Sequence, residues 1–307
     1  MSNEITTAFV EQFRSNVLHL AQQKASKLMK FAQLKENVKG KSVYFDQIGV
    51  TEMRDVNTRH EDSPEMNPEH ERRRVTMVQS DWGALIDKHD EIRVLIDPAS
   101  AYTQSASMAV GRREDKHFID AAVGTSYSGE SGGTAVVLPA SQKILANNIG
   151  MTVAKVTETK QRMDEAEIDE EGRVMLYSSQ QFSDLLEDAR FTSKDYIDVE
   201  RLVNGKVDTY MGFKWQRIEP RKAAPTAGAA TGKNKHGLPY NALTDVTTCI
   251  AFSMYAIGVG IGEIATFRIT ERPDKKYNKY VYVEIDMGGA RVEEEAVVTI
   301  DCDNSPV

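Results

Sequence analysis

From Glu52 to Arg74 the chain carries seven acidic residues and five arginines, with Pro64 and Pro68 among them and almost nothing apolar. Such a run cannot bury enough hydrocarbon to offset the entropy of ordering itself, so it cannot be a domain of its own. Its flanks have the opposite character. Ser42–Ile48 has the β-branched and aromatic residues of a strand, and a second strand is expected from about Arg74 to Gln79. A long charged connection therefore leaves one strand and returns to another. It is either a mobile surface loop or an extended arm that orders against something else.

Elsewhere the pattern is that of a folded protein. Residues 4–36 contain no proline or glycine and place Phe9, Phe13, Val17, Leu20, Leu28 and Phe31 mostly at helical steps, with Lys24 interrupting the stripe. One long amphipathic helix is predicted there, ending before Gly40. Asp97-Pro98 is a strong helix start, and only Gly111 interrupts the segment that follows to Val123, a helix of about 37 Å. Tyr102, Met108, Ala109, Phe118, Ile119 and Ala122 fall broadly on one side of it. A Gly/Ser-rich turn over 124–133 leads to a strand at Thr134–Leu138. Helices are then predicted from Ser141 and from Thr152, followed by an acidic turn ending at Gly172, a strand Arg173–Tyr177 and a helix from Ser183. Residues 221–237 are small, polar and aperiodic and read as an exposed flexible loop. A small-residue helix around Thr244–Val259 and strands at 264–270, 279–286 and 296–302 complete the reading, with no internal repeat.

Charge narrows the function. The net charge of -8 argues against a protein whose main work is gripping nucleic acid. It is unevenly placed: residues 1–41 hold seven cations against three anions, a net of +4, which leaves -12 for the rest. A basic arm on an acidic body suggests electrostatic docking, although a solvated basic helix face looks the same. Cys249 and Cys302 form no metal-like pair, need no bridge and suit a reducing cytoplasm. The opening Met-Ser-Asn-Glu does not read as a secretory signal, and the most apolar stretch, Cys249 to Gly262, is too short for a membrane span.

The chemical motifs fail on context. Gly129-Glu130-Ser131-Gly132-Gly133 fits the nucleophile elbow, and a serine hydrolase using Ser131 is the enzyme alternative. An elbow needs a strand before the serine and a helix after it, whereas here a helix precedes and a strand follows. None of the six histidines sits in a segment suited to the general base of a triad. Gly228 to Lys233 misses the phosphate-loop spacing and has Asn234 where Ser or Thr is required. Gly258, Gly260 and Gly262 follow a predicted helix and not a strand, against a dinucleotide site. The acidic run Glu167 to Gly172 reaches Ser178 where a calcium loop needs Glu, and His70-Glu71 meets Arg74 where a zinc motif needs His. No metal or cofactor is expected.

The ordered set of segments resembles the tailed-bacteriophage major capsid proteins with the Hong Kong 97-type fold. One anchor is Val43-Tyr44-Phe45-Asp46-Gln47-Ile48-Gly49, the charged stretch, Arg72-Arg73-Arg74-Val75, Ile92 to Pro98, and the helix with Ala109, Arg112, Asp115 and Ala121 up to Gly124. The other is Ala256-Ile257-Gly258, Glu271 to Lys275, Gly289-Ala290-Arg291 and Val297-Val298-Thr299-Ile300. The resemblance implies an α+β fold with an N-terminal arm (1–41), an extended two-stranded loop (42–81), a peripheral domain with a long spine helix (82–138), an axial domain (139–263) and C-terminal strands of the peripheral domain (264–307). It implies a non-enzymatic subunit that self-assembles as hexamers and pentamers into an icosahedral head around DNA, made in the host bacterial cytoplasm and residing in the virion. Encapsulin-type compartments and gene-transfer-agent shells share the fold.

Scaffolding, portal and cement proteins are the further partners the resemblance implies, with no sequence-specific DNA contact and no membrane. With no long scaffolding-like extension at the N-terminus, a separate scaffolding protein is expected if assembly needs one. The candidate assembly residues are Arg54, Arg59, Glu61, Asp62, Arg72, Arg73 and Arg74. Some members of the family weld their shells through a loop lysine. No lysine lies between Lys41 and Lys88 here, so the loop has no amine for such a bond.

Overall fold

The computed structural model describes residues 23–55, 65–87, 98–188, 209–221, 236–262 and 266–305. Three sheets organise them. The first joins β1 (Gln33–Lys35), β13 (Ile257–Ile261), β15 (Asn278–Arg291) and β14 (Thr266–Arg272), with β4 (Val78–Ile86) on the other side of β15. The second runs β7 (Lys143–Ile144), β16 (Val297–Asp303), β12 (Val246–Ser253), β8 (Arg173–Tyr177), β10 (Phe213–Arg217) and β9 (Thr209–Tyr210), with β11 (Tyr240–Asn241) paired to β12. The third is β2 (Ser42–Ile48), β3 (His70–Thr76), β5 (Ser126–Ser128) and β6 (Thr134–Val136).

The spine is α1 (Pro98–Val123), whose Phe118, Ile119 and Ala122 are buried. The Phe118 ring meets Phe252 of β12 edge-on at 5.1 Å, and Phe252 meets Phe31 at 6.2 Å. One apolar core thereby links the spine, both larger sheets and the segment around Phe31. β8 is buried at all five positions, as a central strand covered on both faces must be. Two helices, α2 (Val153–Glu165) and α3 (Ser179–Glu187), accompany this second sheet. Thr152 caps α2 by accepting a hydrogen bond from the Lys155 N–H at 3.4 Å.

Several expectations are met closely: the strand at Ser42–Ile48, the helix to Val123, the helix capped by Thr152 and the strand Arg173–Tyr177. Others are corrected. The helix predicted over 4–36 does not extend through its described end. Residues 29–31 form a single 3-10 turn and Gln33–Lys35 pairs in parallel with β13. The cause is Asp115 of α1, which accepts hydrogen bonds from the Lys27 and Leu28 N–H groups at 3.0 and 3.1 Å and from Ser26 Oγ at 2.6 Å. Those N–H groups cannot also serve a helix. The chain presses so closely on the spine here that a Cβ at Gly111 would stand 2.8 Å from the Ala25 carbonyl carbon, which accounts for the glycine inside α1.

The helix predicted over Thr244–Val259 is two strands, β12 and β13, joined by a turn with Tyr255 at φ 71°. A short apolar run buried on every side has no stripe to distinguish helix from strand. A 3-10 turn, Ala140–Gln142, replaces the helix predicted from Ser141. The strand predicted at 74–79 is the junction of β3 and β4, where the Met77 N–H donates to the Lys41 carbonyl at 2.9 Å as the chain changes sheets. The sheets also cross the sequence boundary drawn at 263: β13 joins the first sheet, whereas β16 lies beside β12 in the second. Asp97 and most of the 221–237 loop lie outside the described residues.

Candidate assembly interface

The charged stretch leaves the body as the antiparallel hairpin β2–β3, in register from Ser42↔Thr76 to Ile48↔His70. One more bond, Gly49 N–H to the Glu69 carbonyl at 2.7 Å, carries the ladder outward. At its root Phe45 and Val75 form a small core with Ala290 and Val292. A Cβ on Gly258 would lie 2.8 Å from the Phe45 ring, so this glycine makes room for it.

The three consecutive arginines have three fates. Arg73 is buried: its Nε donates to the Val292 carbonyl at 3.2 Å and its Nη2 to Glu294 at 2.7 Å. Arg291, fully buried, approaches the other oxygen of Glu294 with Nε at 3.7 Å. Its Nη1 donates to the Ala122 and Gly124 carbonyls, both at 2.9 Å, and its Nη2 to the Val136 carbonyl at 3.2 Å. A cation thus satisfies the C-terminal carbonyls of the spine helix, where the helix dipole favours it. Arg73, Glu294 and Arg291 form a charged brace fixing the hairpin root to the end of the spine. Removing one member of such a set leaves a buried charge uncompensated.

Arg74 lies over the Tyr127 ring at 5.4 Å and donates to the Ser131 carbonyl at 3.1 Å. Gly132, at φ +65°, has no Cβ to collide with it. The glycine-rich turn is therefore a cradle for Arg74, between β5 and β6 and not between a helix and a strand. Arg72 stays on the hairpin, paired with the exposed Asp46 at 3.0 Å and set over Tyr44, both on β2. Arg54 is exposed, and Arg59, Glu61 and Asp62 lie outside the described residues.

The charge pattern drew attention away from what stands out on the described hairpin. Val50 and Met53 are fully exposed, and Ile48 is 69% exposed. The few apolar residues in a charged run were the available signal. Between the hairpin and the β5–β6 turn lies a cleft of about 890 Å³, with carboxylates of Asp46, Glu71 and Glu130 beside His70 and Arg72. Among the described residues no cluster of three potential metal-binding side chains occurs and no helix is long and apolar enough to cross a membrane.

No curated protein sequence matches the chain. By fold it is similar to the capsid of Helicobacter pylori bacteriophage KHP30, with TM-score 0.71 at 12% identity over 99% of this chain and 98% of that one. The capsid of Ralstonia phage GP4 gives TM-score 0.70 at 12% identity over 95% of each chain, and that of cyanophage P-SCSP1u 0.68 at 15% over 99% and 96%. The family model described as phage capsid protein matches residues 5–304, so this chain belongs to the phage capsid protein family.

Proposed function

We propose that this capsid subunit, a structural component of the phage head, closes its shell by laying the β2–β3 hairpin across a neighbouring copy, with Val50 and Met53 as apolar anchors. The observation that supports this is the pairing of a braced root with an outer part on which, among the described residues, Val50 and Met53 are fully exposed. Magnitudes favour the apolar residues over the charges. An exposed ion pair contributes about 0–1 kcal/mol, whereas fully burying a side chain such as Val or Met is worth roughly 1.5–3 kcal/mol. The exposed charges Arg54 and Arg72, with Arg59, Glu61 and Asp62, set register and exclude wrong pairings. Symmetry then repeats each small gain around a closed shell. Scaffolding, portal and cement proteins complete the proposed partners, and DNA is enclosed without sequence-specific contact. The role proposed is structural and not catalytic, with Ser131 supplying a carbonyl to Arg74.

Replacing Val50 and Met53 together by Asp tests the proposal. The purified variant should remain folded and soluble yet form no closed particles under electron microscopy, where the parent forms shells. Normal shells from the double variant would show that the hairpin tip is not an anchor.

A further inference from the structure

A cavity of about 400 Å³ lies between the spine helix and the first sheet. Ser80, Asp81 and Trp82 of β4 form one wall, and Arg113 of α1 and His236 line it opposite. Arg113 donates Nε to Ser80 Oγ at 3.0 Å, and its two terminal nitrogens have no protein partner among the described residues. His236 Nδ1 and, on the same stretch of α1, His117 Nε2 are buried without a hydrogen-bond partner among the described residues. Arg112, Lys116 and Arg221 act electrostatically on His236, so the charge around it is positive in a chain whose net charge is -8. Of the carboxylates nearby, Asp120 is already engaged by Lys116 and by Arg221 Nη2 at 2.6 Å. Asp81 lines the cavity but makes no ion pair among the described residues.

We infer that this cavity binds a phosphate-bearing anion, held by the Arg113 guanidinium fork and the His236 imidazole in the field of Arg112, Lys116 and Arg221. A guanidinium presents paired N–H groups that match two oxygens of a phosphate, and those of Arg113 meet no protein partner among the described residues. Buried polar atoms left unpaired cost free energy until a ligand or water meets them, and an anion also answers the positive charge around His236, against which the lining sets the carboxylate of Asp81. Burial and the neighbouring cations depress both imidazoles, His117 to about 4, so at neutral pH the histidines add no charge until an anion arrives. The phosphodiester backbone of enclosed DNA and free inorganic phosphate present the same oxygens.

Inorganic phosphate titrated into the full-length subunit at neutral pH and fixed ionic strength should bind saturably by calorimetry. It should also move the imidazole resonances of His117 and His236 and raise both pKa values. Arg113→Gln, which keeps a donor for Ser80, should weaken binding about tenfold or more, the worth of a hydrogen bond to a charged group. Arg217→Gln, an exposed charge on β10, should leave it unchanged. No saturable response beyond a chloride control, or equal binding by Arg113→Gln and parent, would overturn the inference. A short DNA duplex displacing bound phosphate supports it with packaged DNA as the source, and phosphate binding without displacement supports it with the free anion. None of these readouts requires shells, so failure of the hairpin proposal would leave this test intact.

Discussion

β8 has no exposed position, and β12 beside it and β16 beyond β12 are buried at most of theirs. The hairpin is built of strands of similar length, yet β2 buries only Phe45 and β3 only Arg73 and Val75. The second sheet satisfies its apolar surface within one chain. Among the described residues the hairpin leaves Ile48, Val50 and Met53 exposed, and what it buries lies at its root, a charged brace and a small core. On the proposed function, stability resides in one region and association in the other. A substitution should disturb the two properties separately according to where it falls.

The largest expected effect comes from the shared core. Phe252→Ala removes the ring that joins Phe118 and Phe31 and should cost about 3–5 kcal/mol in urea unfolding. Ile48→Ala on the hairpin should stay within about 0.5 kcal/mol. Comparable losses at both positions would break the comparison.

A sharper contrast lies within the hairpin itself. Glu294→Ala leaves Arg291 without a carboxylate and Arg73 with only the exposed Glu71 at 3.3 Å, and should cost about 3 kcal/mol, whereas Arg72→Ala, which breaks the exposed pair with Asp46, should cost under about 1 kcal/mol. Denaturation curves of the two variants would show whether adjacent arginines divide between bracing and display as their burial indicates.

The smallest effect is acid sensitivity of the spine. Burial first, then Arg113 and Lys116, hold folded His117 at about 4 against an ordinary 6.5. Its contribution is thus complete above the ordinary value and is lost as pH falls from there toward the folded value, because the unfolded chain takes up the proton first. Burial raises the carboxyls of Glu114, Asp184 and Glu293, which works in the opposite direction as pH falls further. His117→Gln should flatten the fall in urea midpoint between neutral pH and the folded value. An unchanged slope would remove His117 from the account.

Local chemistry made much of this legible. The hairpin strands announce themselves as a β-branched and aromatic segment beside a charge run, and α1 and α2 carry helix starts that need no knowledge of their surroundings. The candidate site was legible only in outline. Strand alternation sets Arg73 on the opposite face from Arg72 and Arg74, but which face is buried and what each meets depend on Glu294 and Ser131, far along the chain.

The sequence by itself determined the parts: a charged two-stranded extension, a long spine, and strands apolar enough to be central, together with an ordered set of segments that resembles phage capsid proteins. Tertiary structure decided what long-range contacts govern. Asp115 captures the N–H groups of Lys27 and Leu28 and turns helix-prone residues into a strap. Burial on both sides makes strands of Val246–Ser253 and Ile257–Ile261, and Arg291 ties the spine's end to the hairpin root. Propensity and pattern act over a few residues, whereas hydrogen-bond competition and two-sided burial exist only once distant segments have met.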